Sequence, residues 1–251
     1  MKEVLAIINQ KGGVGKSTTA AALGAGLILK GYRVLYIDLD AQGNLTFNMG
    51  AGASALSSLE MLTGTATAEE AIRHTEQGDI IPASPALAGA DNLITTTGKE
   101  YRLKEALEPL YKLYDYIVID TPPALGILTV NALTACTGAI VPAQADAWSL
   151  QGITQLNGTI QAVKKYCNPA LKVKGIVLTR FNSRAVVSRD MQELIAQTAA
   201  ALNTKLYKTT IRECTALKEA QAVQRDIYSY APRSNATADY KALVAEIIEE
   251  R

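Results

Sequence analysis

INQKGGVGKSTTAAALGAGL, residues 8–27, decides the fold. It sets a glycine run between an apolar segment, VLAIIN (4–9), which reads as a buried strand, and a helical stretch from Lys16 to about Lys30. Gly12, Gly13 and Gly15 at that junction permit positive φ and let backbone come close to a ligand. Successive N–H groups and the helix N-terminus then form an anion cradle. In such a loop Lys16 reaches the β- and γ-phosphates, and the Ser17 hydroxyl ligates Mg²⁺. The pattern G-x-x-x-x-G-K-[ST] is nevertheless broken, because position 10 is Gln10 and a second lysine, Lys11, opens the glycine run. A glycine-rich turn that holds no ligand is the competing reading of the same residues.

Outward from the loop, apolar runs alternate with helical patterns. RVLYID (33–38), YDYIVID (114–120), GAIVPA (138–143) and VKGIVLT (173–179) read as further strands, and DIIPAS (79–84) as a short one. Helices are expected near 99–113, 126–136, 148–166 and 187–202, with a last one from SNATADY (234–240) onward. Continuous Val/Ile-rich strands separated by helices argue for an α/β fold, a mostly parallel twisted sheet with helices on both faces. Asp38, Asp40 and Asp120 then fall at strand carboxyl ends, where such sheets bind ligands. A carboxylate there holds Mg²⁺ through water or orients an attacking water; a cap or turn is the plainer alternative.

The 251 residues, 48% hydrophobic, suffice for one substantial core. The opening MKEVLAIINQ is too short in its apolar run for a signal peptide, and no stretch approaches the ~20 apolar residues of a membrane span. Cys136, Cys167 and Cys214 stand apart, which indicates neither a disulfide frame nor a zinc site and suits a cytoplasmic setting. The net charge of +1 hides an asymmetry: residues 147–225 hold twelve Lys/Arg against four acids, a net +8. Such an imbalance marks either an anion-binding face or an ordinary solvated surface. His74 reads as surface within a helical stretch, and Trp148 as packing at the start of a helix, within the chain or near a dimer face.

KGGVGKST, DLDAQGN and YDYIVIDTPPALGILTVNAL resemble, in order and spacing, the ParA/Soj partition ATPases of the ParA/MinD group, whose P-loop is a deviant Walker A motif. The likeness spans essentially the whole chain, and in that group the glycine missing at position 10 is normally missing. It implies the P-loop NTPase fold, a single ATPase domain over 1–251 without an N-terminal helix-turn-helix domain, and ATP and Mg²⁺ as cofactors. The nucleotide site it implies runs from Lys11 through Gly12, Gly13, Val14, Gly15, Lys16 and Ser17 to Thr18. Lys11 matches the signature lysine that crosses to the nucleotide of the partner subunit, Lys16 the lysine acting in cis, and Ser17 the Mg²⁺ ligand. Asp40 matches the switch I aspartate that positions the hydrolytic water, and Asp120 the Walker B carboxylate; both are expected at the metal.

Two departures are visible: Ala41 replaces the group's usual proline, and IRECTALKEA (211–220) lacks arginines common in a PRNVRLSEA-like stretch. The implied activity is an ATP-dependent homodimerisation switch. Its dimer binds double-stranded DNA without sequence preference, and a ParB-type centromere-binding protein stimulates the slow hydrolysis that releases it. The protein would be cytoplasmic and nucleoid-associated, with no membrane partner. Arg180, Arg184, Arg189, Arg212, Lys218 and Arg225 are the expected DNA contacts, unless they pair with Asp190, Glu193, Glu213 or Glu219. Three other readings share the loop. A MinD-like or other cargo-positioning ATPase would not act on DNA; the MinD-like membrane cycler would need a basic amphipathic C-terminal helix, whereas ALVAEIIEER is acidic. An iron–sulfur reductase would need a second suitably placed cysteine. A ligand-gated scaffold would need no Asp40.

Overall fold

A computed structural model describes residues 3–249. In chain order the elements are β1 (Glu3–Ile7), α1 (Lys16–Leu29), β2 (Val34–Asp38), α2 (Asn44–Asn48), α3 (Ser58–Thr63), α4 (Ala68–Ala71), β3 (Arg73–Thr75), β4 (Gly78–Ile81), α5 (Ala90–Leu93) and α6 (Arg102–Leu107). They continue with β5 (Tyr116–Asp120), α7 (Ile127–Ala135), β6 (Gly138–Ala143), α8 (Ala147–Tyr166), β7 (Lys172–Leu178), α9 (Val186–Ala201), α10 (Thr215–Ala222), α11 (Ile227–Tyr230) and α12 (Asn235–Glu249). The seven strands form one sheet in the order β3-β4-β2-β5-β1-β6-β7. All pair in parallel except β3 with β4. This is the mostly parallel α/β sheet the sequence predicts.

The central strands are continuous apolar runs because both faces of the sheet are covered. Alternate residues serve alternate cores. Val4, Ala6, Ile8, Leu35, Ile37, Ile117 and Ile119 face one core with helices α3 and α6–α9. Leu5, Ile7, Tyr36, Tyr116 and Val118 face the other, with α1 and α10–α12. Register matters for the site. Asp120 lies opposite Ile7 of β1 and opposite Asp38 of β2, so the loop after β1 and two carboxylates leave the sheet side by side.

Helix α1 sits close on the sheet at Gly24, where a Cβ would lie 2.2 Å from the Tyr36 ring. Ala is normally the better helix former by about 1 kcal/mol. Here overpacking outweighs that gain, so Gly24→Ala is expected to cost about 1–3 kcal/mol net in urea unfolding. An unchanged or higher midpoint would show that Tyr36 moves aside freely.

Four expectations need correction. The stretch 99–113 is not one helix: α6 is flanked by 3₁₀ turns at Lys99–Tyr101 and Glu108–Lys112. Pro109 explains the second turn, since it supplies no amide for an α-helical bond. His74 is exposed but not helical. It lies in β3, whose hairpin turns through Glu76 and Gln77 into Gly78 (φ 119°), and its Nδ1 meets Asp79 Oδ1 at 2.6 Å. Trp148 is not packed within its own chain: it is 72% exposed in the first turn of α8. The short strand expected at 79–84 ends at Ile81, one residue before Pro82.

Candidate functional site

Three glycines hold the loop open in two different ways. Gly13 (φ 73°) and Gly15 (φ 85°) are left-handed, a conformation costly for other residues. A Cβ on Gly12 or Gly13 would meet nothing, since both face a cleft of about 610 Å³. Gly15 caps α1 with no side-chain acceptor, so the first amides of α1 point outward unbonded by a cap. The strand ends brace the loop from behind. Thr179 Oγ1 donates to Val14 O at 2.8 Å, Asn9 Nδ2 to Pro142 O at 2.6 Å, and Lys11 N to Asn9 Oδ1 at 2.9 Å.

The charged groups converge at the loop. Lys16 is buried, and its Nζ donates to Lys11 O at 3.3 Å. Burial pushes its pKa down, while Asp120 and Asp40 push it back up. Asp120, at the end of β5, is fully buried, and neither of its oxygens has a hydrogen-bond partner of good geometry. Burial, then the neighbouring Asp38, raises its pKa well above the carboxylate range, against the pull of the Ser17 hydroxyl and Lys16. Asp38 is pushed up to about 6 by burial, against hydrogen bonds from Thr46 and the Asp40 amide. Asp40 lies two residues beyond β2 and lines the cleft, with Oδ1 accepting from Gln42 N at 3.1 Å. Gly12, Gly13, Gly15, Lys16, Ser17 and Thr18 line the same cleft. Val14 is buried behind them, so it contributes backbone only.

This donor set fits a polyphosphate with a divalent cation. Open amides and a buried ammonium suit phosphate oxygens. An orphaned pair of buried carboxylate oxygens beside a serine hydroxyl suits a metal or its water shell, and a cation there reverses the unfavourable burial of Asp120. Among the described residues no cluster of three His, Cys, Asp or Glu stands ready to hold a metal without the phosphates.

A family model described as "AAA domain" matches residues 2–173. The chain is 39% identical to the sporulation initiation inhibitor protein Soj of Bacillus subtilis, with 98% of each covered. It is 38% identical to the chromosome partitioning protein ParA of Caulobacter vibrioides, over 98% of this chain and 93% of that one. The chain belongs to the ParA/Soj family. Solved structures share the fold. A Mycobacterium smegmatis protein described as cobyrinic acid a,c-diamide synthase with bound ATP analogue and magnesium is 34% identical, with a TM-score of 0.83 over 99% of this chain and 95% of that one. A Borrelia burgdorferi plasmid partition protein bound to AMPPNP is 25% identical, with a TM-score of 0.86 over all of both chains.

Within this ParA/Soj chain the six expected DNA-contacting residues do not behave as a set. Arg180 (φ 49°) and Lys218 line the nucleotide cleft. Arg212 is tied to Asp239 of α12, with Nη2 to Oδ1 at 2.6 Å and Nε to Oδ2 at 3.0 Å. That partner lies outside the four acids that the sequence sets beside these cations. All six are exposed, and Arg184, Arg189 and Arg225 lie outside both the cleft lining and the Asp239 tie. Lys11 also has a partner inside its own chain: Nζ meets Asp146 Oδ2 at 2.5 Å and Gln144 Oε1 at 3.2 Å. Asp146 in turn caps α8 through Ser149 N.

Several site residues escape sequence reasoning. Thr179 and Asn9 sit at strand ends and could have been found by that position alone. Gln221 of α10 donates to Thr18 Oγ1 at 2.8 Å across 203 residues, and nothing local to it marks that contact.

Proposed function

We propose that this chain is an ATP-dependent dimerisation switch for DNA partition. The observation that carries the reading is the convergence of two buried charged groups, Lys16 and Asp120, at an open glycine loop, with Asp40 lining the cleft that the loop faces. The names of the relatives, Soj and ParA, support partition as the setting. When bound, Mg²⁺ neutralises charge on the transferred phosphoryl group. The amides of Gly12, Gly13 and Gly15 cradle the phosphates, Lys16 binds the β- and γ-oxygens, and Ser17 and Asp120 hold the metal and its water. Thr18 sits beside them. Asp40 orients the attacking water.

Lys11 gives the dimer its catalytic role. A cation that arrives only from a second subunit makes hydrolysis conditional on pairing. Its contact with Asp146 is a single part-buried ion pair, which a partner's phosphate would have to replace. The partner that speeds hydrolysis is a ParB-type protein.

Non-specific DNA binding would use the basic region over residues 147–225, doubled in the dimer. Arg184, two residues before α9, and Arg189 in its first turn are the cations to test, because both are exposed and lie outside the cleft, whereas Arg212 serves the fold. The double variant Arg184→Glu, Arg189→Glu is expected to retain ATP binding. Its DNA retention with ATP should fall, and the salt slope of log affinity should be shallower by about 0.9 for each phosphate no longer neutralised. ATP-bound wild-type protein that passes unretarded through DNA at low salt would leave a cargo-positioning ATPase as the better reading.

A further inference from the structure

The loop that carries Asp40 is fastened at both ends to one buried carboxylate. Asp38 Oδ1 accepts from Asp40 N at 3.0 Å. Asp38 Oδ2 accepts from both Thr46 N and Thr46 Oγ1, each at 2.8 Å. The Thr46 hydroxyl also accepts from Ala83 N at 2.9 Å, which ties α2 to the chain leaving β4. Asp38 is fully buried and Thr46 nearly so. The Asp40 amide is thus one anchor and Thr46 the other, while the Asp40 carboxylate accepts only from Gln42 N and its carbonyl from Gly43 N, both in the same turn.

We infer that Thr46 is a positioning residue for hydrolysis, its hydroxyl setting the loop that aims Asp40. The inference rests on the reading of Asp40 as the group that orients water. A hydroxyl suits the task because it donates to one partner while accepting from another. Valine has the same shape and can do neither, so it leaves Ala83 N without its acceptor and one lobe of Asp38 with a single donor. The loop keeps its backbone bonds and its packing but loses the brace at its far end. Displacements near 1 Å at a reacting group cost on the order of a hundredfold in rate.

The test compares Thr46→Val, Thr46→Ser and Asp40→Ala by single-turnover phosphate release from prebound Mg-ATP and by affinity for a fluorescent ATP analogue. Thr46→Val should slow release by about tenfold or more while analogue affinity stays within about twofold, and Thr46→Ser should restore the rate. The inference is overturned if Thr46→Val releases phosphate at the wild-type rate. It is also overturned if affinity and rate fall together, which would mark Thr46 as a folding residue, or if Thr46→Ser behaves like Thr46→Val. Asp40→Ala separates the two levels. Wild-type release by that variant removes the underlying reading, whereas an inactive Asp40→Ala beside an active Thr46→Val removes only the role of Thr46.

Discussion

Lys16→Ala is expected to abolish measurable Mg-ATP binding and phosphate release. The Lys16 ammonium is buried, donates to the Lys11 carbonyl at 3.3 Å, and is bracketed by Asp120 and Asp40. Removing it withdraws a charge-assisted donor from the phosphates and leaves Asp120 without its neighbouring cation. Truncating one member of such a buried charged contact costs about 2–5 kcal/mol, which is at least about thirtyfold in affinity. Lys11→Ala should differ in kind. Its ammonium is engaged by Asp146 and Gln144 and Lys11 does not line the cleft, so ADP binding should survive while ATP-dependent pairing disappears. Titration calorimetry and phosphate-release assays make the comparison. Unchanged affinity and turnover in Lys16→Ala would contradict the assignment of the loop.

Asp40→Ala is expected to separate binding from chemistry. Asp40 lines the cleft, but its hydrogen bonds are to its own loop and not to the glycine loop. Loss of a group that orients or activates water typically costs about 10²–10⁴-fold in rate. Nucleotide affinity should persist, so a long-lived ATP-bound dimer should accumulate where the wild-type protein cycles. Light scattering against time after ATP addition reads this directly. Wild-type hydrolysis by Asp40→Ala, or failure of that variant to pair, would remove Asp40 from its role.

Much of the fold is legible in the sequence because strong local signals coincide. The apolar run before Gln10, the three glycines and Lys16-Ser17 together specify strand, turn and helix, and β1 and α1 form there. The parallel sheet follows from strands apolar on both faces, as in YIVID of β5. What stays hidden depends on distance in sequence. The β3 hairpin rests on three residues, Arg73–Thr75, too few for a period to show, so His74 reads as helical. Trp148 reads as packing because aromatics usually bury area, yet Asp146 starts α8 in a register that turns it outward. Arg212 looks available in sequence because its partner, Asp239, lies 27 residues away on another helix. Thr46 carries no local signal, since a threonine in a short polar stretch is common, and only the fold brings it to Asp38 and Ala83.

The central claim is that nucleotide at this cleft controls pairing of the chain. Sedimentation velocity of the purified protein with no nucleotide, with Mg-ADP and with Mg-ATP tests it most directly. The account predicts a monomer near 26.8 kDa in the first two conditions and a species of twice that mass with Mg-ATP, sharpened in Asp40→Ala and absent in Lys16→Ala. The same mass in all three conditions would contradict it.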